Sequence, residues 1–239
     1  MKRVWAGVVT IVLCLSALAQ IDSKLAEGLH WLEEGRTTLE VEPLGKAKDL
    51  FLALTQRESN NSANFYHLAR VDSYLIDAYS RAGDKKQAER AVDDGITAGE
   101  RAIQKNDKFA DAHSLLADLY GRKIALGAGL MLGPRFGPKI AEENKKALAL
   151  DDKSARVYAS LGRQYLHAPK MFGGDVDKAI ASFRKATELD PGFDENYVWL
   201  AVAYRQEQDA ADAEQALQEA LERNPRSAFA KWVQAGHSA

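Results

Sequence analysis

Residues 194–225 read DENYVWLAVAYRQEQDAADAEQALQEALERNP. Tyr197, Leu200, Ala201 and Tyr204 recur at three- and four-residue steps, the spacing that places side chains on one face of a helix. Gln208 and Asp209 mark a turn. Ala213, Leu217 and Ala220 then form a second stripe, and Pro225 closes the unit. Bulky and small residues alternate, so two antiparallel helices can approach closely. The unit before it repeats the scheme. Tyr158, Leu161, Gly162 and Tyr165 match the first stripe without a gap, Ala179, Phe183 and Ala186 match the second, and Pro191 closes it. Pro191 and Pro225 are 34 residues apart.

Earlier stretches carry looser copies. Trp31, Gly35, Ala47 and Phe51 fit a first unit, Leu75, Tyr79, Gly83, Ala88 and Val92 a second, and Leu116, Ala117, Tyr120 and Ala147 a third. The expected repeats are 28–61, 62–109, 110–154, 155–193 and 194–227, with a cap over 228–236 covering the last open face. The pattern resembles the tetratricopeptide repeat (TPR) superfamily. That resemblance implies an all-α, right-handed solenoid of about five helix-turn-helix units, its concave surface lined by the first helix of each pair.

Composition agrees with an ordered, mostly helical chain. Of 239 residues, 46% are hydrophobic and 28% charged, which excludes a wholly disordered protein. Lys and Arg number 32 against 34 Asp and Glu, so no basic excess points to nucleic acid. Lys2 and Arg3 precede an apolar run from Val4 to Ala19 that ends Ala17-Leu18-Ala19 before Gln20. This is the layout of a secretory signal over 1–19, with an uncleaved membrane anchor as the alternative. Cys14 is the single cysteine, and the bulky Leu13 before it argues against lipidation. Residues 20–239 then hold no disulfide. The expected location is the bacterial periplasm or exterior, with no membrane span once the signal is removed.

Two interruptions fall at the same end of consecutive first helices. About 11 extra residues follow Tyr120 and include Leu130, Met131 and Leu132. About five follow Tyr165 and include Pro169, Met171, Phe172, Gly173 and Gly174. Three readings stand: the apolar residues pack on one another, or Leu130, Met131, Met171 and Phe172 line a pocket for a small ligand or transporter partner, or the run meets a membrane surface, against which its shortness and lack of flanking basic clusters argue. Pro169, Gly173, Gly174, Ala179 and Phe183 resemble the corresponding segment of TRAP-transporter-associated periplasmic TPR proteins. The long third unit and Gly162 with Gly173-Gly174 also resemble the regulator of microtubule dynamics family.

By the TPR resemblance, the concave face carries Arg36, Asp77, Arg81, Asp118, Arg122, Arg156, Arg163, His167 and Arg205. Asp77 with Arg81, and Asp118 with Arg122, have the i,i+4 spacing of local helix pairs. Arg156, Arg163, His167 and Arg205 have no such local partner. With Arg122 they form the expected groove site. Guanidinium groups favour carboxylates, so the expected partner is a protein segment, with an acidic peptide or a C-terminal carboxylate as the candidate ligand.

No enzyme signature accompanies this surface. The five histidines are dispersed, and no zinc-protease helix motif, nucleophile elbow or phosphate loop is present. Neither a cofactor nor a metal is expected. The leading expectation is an exported scaffold that binds through its concave face.

Overall fold

The computed structural model describes residues 21–127 and 129–238, apart from the side chain of Leu130. The signal segment expected over 1–19 lies outside the described residues. Within them the chain forms eleven α-helices and no strand. Five antiparallel pairs follow one another: α1 (21–38) with α2 (Val41–Arg57), α3 (Ser62–Arg81) with α4 (Lys85–Lys105), α5 (Ala110–Leu126) with α6 (Gly129–Leu150), α7 (Ala155–His167) with α8 (Val176–Leu189), and α9 (Asp194–Gln206) with α10 (Ala210–Arg223). A short α11 (Ala228–Gln234) packs on α9 and α10, where it buries Ala230 and Val233.

Local chemistry sets the helix starts. Asn61, Asp84, Ser154, Asp175, Asp209 and Ser227 each accept a backbone N–H from the first turn that follows. Small residues then let the pairs approach. Ala47, Ala88, Ala147, Ala179 and Ala213 on the second helices are buried. A Cβ on Gly162 would stand 2.6 Å from the Phe183 ring, so α7 and α8 meet only because that position is glycine.

The two interruptions fold differently. The first is taken up mainly as helix: α5 runs on to Leu126, and α6 has 22 residues with Pro134 and Pro138 inside it. Leu132 and Phe136 fold back against Leu116 and Tyr120. The second is a 3₁₀ turn over Lys170–Phe172. Gly173 leaves it at φ 91°, a left-handed conformation that suits glycine. A Cβ on Gly174 would collide with the Ala168 carbonyl, so both glycines are dictated by the backbone path.

Apolar packing divides into two main clusters. One joins repeats one to three around Leu32, Phe51, Leu75 and Leu119. The other joins repeats four and five and the cap around Phe183, Tyr197, Leu200 and Leu217. Between them lies a smaller cluster of Ala110, Ala147 and Val157.

The array also closes on itself. Arg36 of α1 reaches Asp194 and Glu195 of α9, and Glu34 pairs with Arg226 beyond α10. Asn224 donates to Asp194 and Thr37. Arg81 of α3 donates to the Ala228 carbonyl and lies over the Trp232 ring. In an open solenoid each repeat meets only its neighbours; here the first repeat touches the fifth.

Candidate functional site

The inner faces of α3, α5, α7 and α9 surround a central bore. Its wall is built on a repeating register. Arg70, Asp111, Arg156 and Glu195 each stand five residues before a stripe leucine (Leu75, Leu116, Leu161 and Leu200) and so alternate in sign around the wall. Tyr66, Tyr74, Phe193 and Trp199 add aromatic surface. The free volume inside is about 90 Å³, well below the ~300–1,000 Å³ of small-molecule sites.

Arginine and carboxylate side chains bridge successive first helices. Arg122 donates to Asp77 through both terminal nitrogens, at 2.5 and 3.1 Å. Arg163 donates to Asp118 from Nε at 3.0 Å and from Nη2. Asp118 also accepts from the Ser160 hydroxyl at 2.8 Å. The spacing of Asp77 with Arg81, and of Asp118 with Arg122, had suggested pairing along each helix. The carboxylates instead reach the next helix, because side chains on the inner face of a tight curve converge.

The other expected groove residues occupy distinct surroundings. Arg156 has its nearest carboxylate, Asp111, at 3.7 Å and lies over the Phe193 ring. It also lines a second cleft of about 550 Å³ at the outer edge, with Lys108, Phe109, Asp111, Ser154 and Asp190. His167 stands edge-on to Trp199 at 5.8 Å. Burial, followed by the charges of Arg163 and Arg122, pushes its pKa down and favours the neutral ring. Arg205 turns away to donate to the Val233 carbonyl at 2.5 Å, fastening the cap. The structure thus gathers Arg122, Arg156 and Arg163 on the bore and separates Arg205 from them.

Sequence reasoning missed Arg70 and Tyr74. Among the described residues Arg70 has no carboxylate partner; the Tyr66 ring lies 5.9 Å away. Tyr74 and Glu195 face the same bore. Burial raises the Glu195 pKa, opposed by the Arg36 charge. The alternation at the register position before the stripe leucines was the signal that marked Arg70.

The insertion residues do not form the expected pocket. Met131, Met171 and Phe172 are 79%, 82% and 70% exposed, so they neither cover one another nor enclose a ligand. The short 3₁₀ turn holds Met171 and Phe172 out, and Leu132 alone of the apolar run is seen to fold inward. The side chain of Leu130 lies outside the described residues. Among the described residues no helix is long and apolar enough to cross a membrane, and no group of three or more His, Cys, Asp or Glu is placed to hold a metal ion.

Helix pairs of this kind, stacked in this order and closed by a terminal helix, define a TPR solenoid. Residues 173–233 match the tetratricopeptide repeat family model. The crystal structure of a thermophilic TPR protein from Thermus thermophilus superposes with a TM-score of 0.66 at 18% identity, covering 90% of this chain and 97% of that one. Regulator of microtubule dynamics protein 3 of Bos taurus is 26% identical over 196 residues, 74% of this chain. The chain spans 41% of that relative's length.

Proposed function

We propose that the protein is an exported interaction scaffold that holds a segment of a partner protein against its concave face. TPR folds generally serve as protein-binding scaffolds rather than enzymes, and the fold offers mainly surface. The observation that carries the reading is the state of two arginines. Arg70 lines the bore without a carboxylate partner, and Arg156 has one only at 3.7 Å. A carboxylate from a partner completes both, since guanidinium–carboxylate pairs are strongest when short and bidentate. Arg122 and Arg163 already have such partners, so they set the wall rather than the ligand contact. The charged start and apolar run of residues 1–19 support export to the periplasm or exterior.

The test is a titration of the full chain with a fluorescein-labelled peptide ending in four glutamates and a free carboxylate. Arg70→Ala and Arg156→Ala are each expected to weaken binding about tenfold, the scale of one charge-assisted contact. Phe172→Ala is expected to leave it unchanged. Binding that is absent, or indifferent to both arginines, refutes the assignment.

A further inference from the structure

The bore that this reading uses is shut. At about 90 Å³ it does not admit a peptide backbone with side chains, and Arg36 of the first repeat already reaches Glu195 of the fifth on its wall. A binding surface in this state needs a way to open.

The junction between the first and last repeats supplies one, because of what it is made of. Neither main apolar cluster crosses it: one stays within repeats one to three, the other within repeats four and five and the cap. Much of what meets there is polar. Arg36 donates to Asp194 at 2.7 Å and to Glu195 at 3.2 Å, while Glu33 on its own helix accepts from Nε. Its guanidinium lies over the Phe193 ring at 4.9 Å. Asp194 uses its second oxygen to accept from Asn224. Both members of the central pair are buried, at 6% and 2% side-chain exposure. The outer pair of Glu34 and Arg226 is more exposed. Burial works against the Arg36 charge, and the carboxylates around it more than offset that effect. A junction built this way resembles the polar interfaces between mobile domains rather than a shared core.

The opposite side of the ring has the character of a hinge. The two main clusters are joined there by the small set Ala110, Ala147 and Val157. Beside it the buried Ser160 hydroxyl lies within 3.0 Å of three acceptors, the Ser114 carbonyl, Asp118 and Asn144, and its one proton serves one of them at a time. A thin apolar joint with a polar seam turns at lower cost than a thick one.

We propose that Arg36 is a clasp. Seated on Phe193, Asp194 and Glu195, it holds the ring closed, and its release lets repeats one to three swing from repeats four and five about the α5–α6–α7 joint to expose the concave face. The clasp regulates the site argued under the proposed function and rests on that reading for its biological purpose. The ring closure can be measured without any groove ligand.

The test is a distance measurement between spin labels in the full chain. Cysteines replace the exposed Glu40 and Gln218 in a Cys14→Ser background. With Arg36 in place the distance distribution is expected to be short and narrow. Arg36→Ala is expected to shift it longer and broaden it. Added N-ethylguanidinium is expected to restore the short distance by refilling the vacated seat, while ethylammonium at the same concentration is not. An unchanged distribution in Arg36→Ala overturns the clasp. So does a lengthened one that ethylguanidinium fails to restore, because the closing group is then not the guanidinium. If Arg36→Ala does not fold by circular dichroism, Arg36→Lys takes its place; it keeps the charge but not the fork, and an unchanged distance there also overturns the proposal. The glutamate-peptide titration repeated on Arg36→Ala separates the two readings: a lengthened distance with no binding there leaves the clasp standing and removes the groove ligand.

Discussion

Asp72 is expected to destabilise the folded protein at neutral pH, and Asp72→Asn to stabilise it. Asp72 sits on α3 facing α2 and α4, with 1% of its side chain exposed. The Lys48 ammonium lies 2.8 Å from one oxygen, yet neither oxygen receives a well-directed hydrogen bond. Lys48 is shared, since Asp94 holds it at 2.8 Å as well. Burial pushes the Asp72 carboxyl up to about 6, with Lys48 only partly opposing it. An unfolded aspartate titrates near 3.9. The folded value is the higher one, so the protonated form is the one that folding favours. Stability from this group is fully present below pH ~4 and is lost as pH rises through ~6. At pH 7.5 the ionised carboxylate costs roughly 3 kcal/mol relative to a neutral group in its place. Asparagine keeps the shape without the charge and leaves Lys48 its pair with Asp94. Its amide donors face the ammonium, which reduces the gain, so the expected stabilisation is about 1–3 kcal/mol at pH 7.5 and near zero at pH 4. For a chain of this size that corresponds to roughly 3–10 °C in Tm. Urea unfolding of wild type and Asp72→Asn across pH 4–7.5 measures it. A variant that is less stable at pH 7.5, or a difference that does not change with pH, refutes the reasoning.

Two further outcomes follow from packing and charge. Gly162→Ala drives a methyl group to 2.6 Å from the Phe183 ring, and is expected to cost about 1–3 kcal/mol in thermal or urea unfolding; an unchanged melt would show that α7 and α8 separate freely. His113 is buried with Nδ1 2.5 Å from a Glu143 oxygen and Nε2 2.9 Å from the Asp107 carbonyl, an arrangement that favours the imidazolium. The Glu143 hydrogen bond raises its pKa against burial, so its stabilisation is present below the ordinary imidazole range and is lost as pH rises through the raised value; an NMR titration of the ring giving a pKa below 6.5 contradicts this.

The sequence made the repeat legible because the repeat is local. Apolar stripes, turn residues and closing prolines all act within some 34 residues, and the caps at Ser154, Asp175 and Asp209 stand beside the helices they start. The interior of the curve was less legible. Asp77 and Arg122 lie 45 positions apart, as do Asp118 and Arg163. Whether such residues meet depends on how tightly successive repeats turn, which no single repeat encodes. The partners of Arg36 lie 158 and 159 positions away and depend on the sum of all the turns. The exposed insertion residues were misread for a related reason. Met171 and Phe172 are the kind of side chain that packs, but a three-residue 3₁₀ turn pinned by Gly173 and Gly174 aims them outward.

Closure changes what mutations in the groove report. In an open solenoid the stability of each repeat depends on its neighbours, and a groove residue can be changed with only local effect. In this ring Arg163 carries Asp118 and stands over Trp199, and Arg205 fastens the cap through Val233. Removing Arg163 leaves a half-buried carboxylate without its cation, a loss expected to reach one to a few kcal/mol on its own. A binding defect in Arg163→Ala or Arg205→Ala therefore mixes ligand contact with wall and cap integrity. Arg70 has no such structural duty, because no carboxylate among the described residues depends on it. Its substitution separates recognition from folding most cleanly, and a defect there at unchanged stability bears on the groove alone.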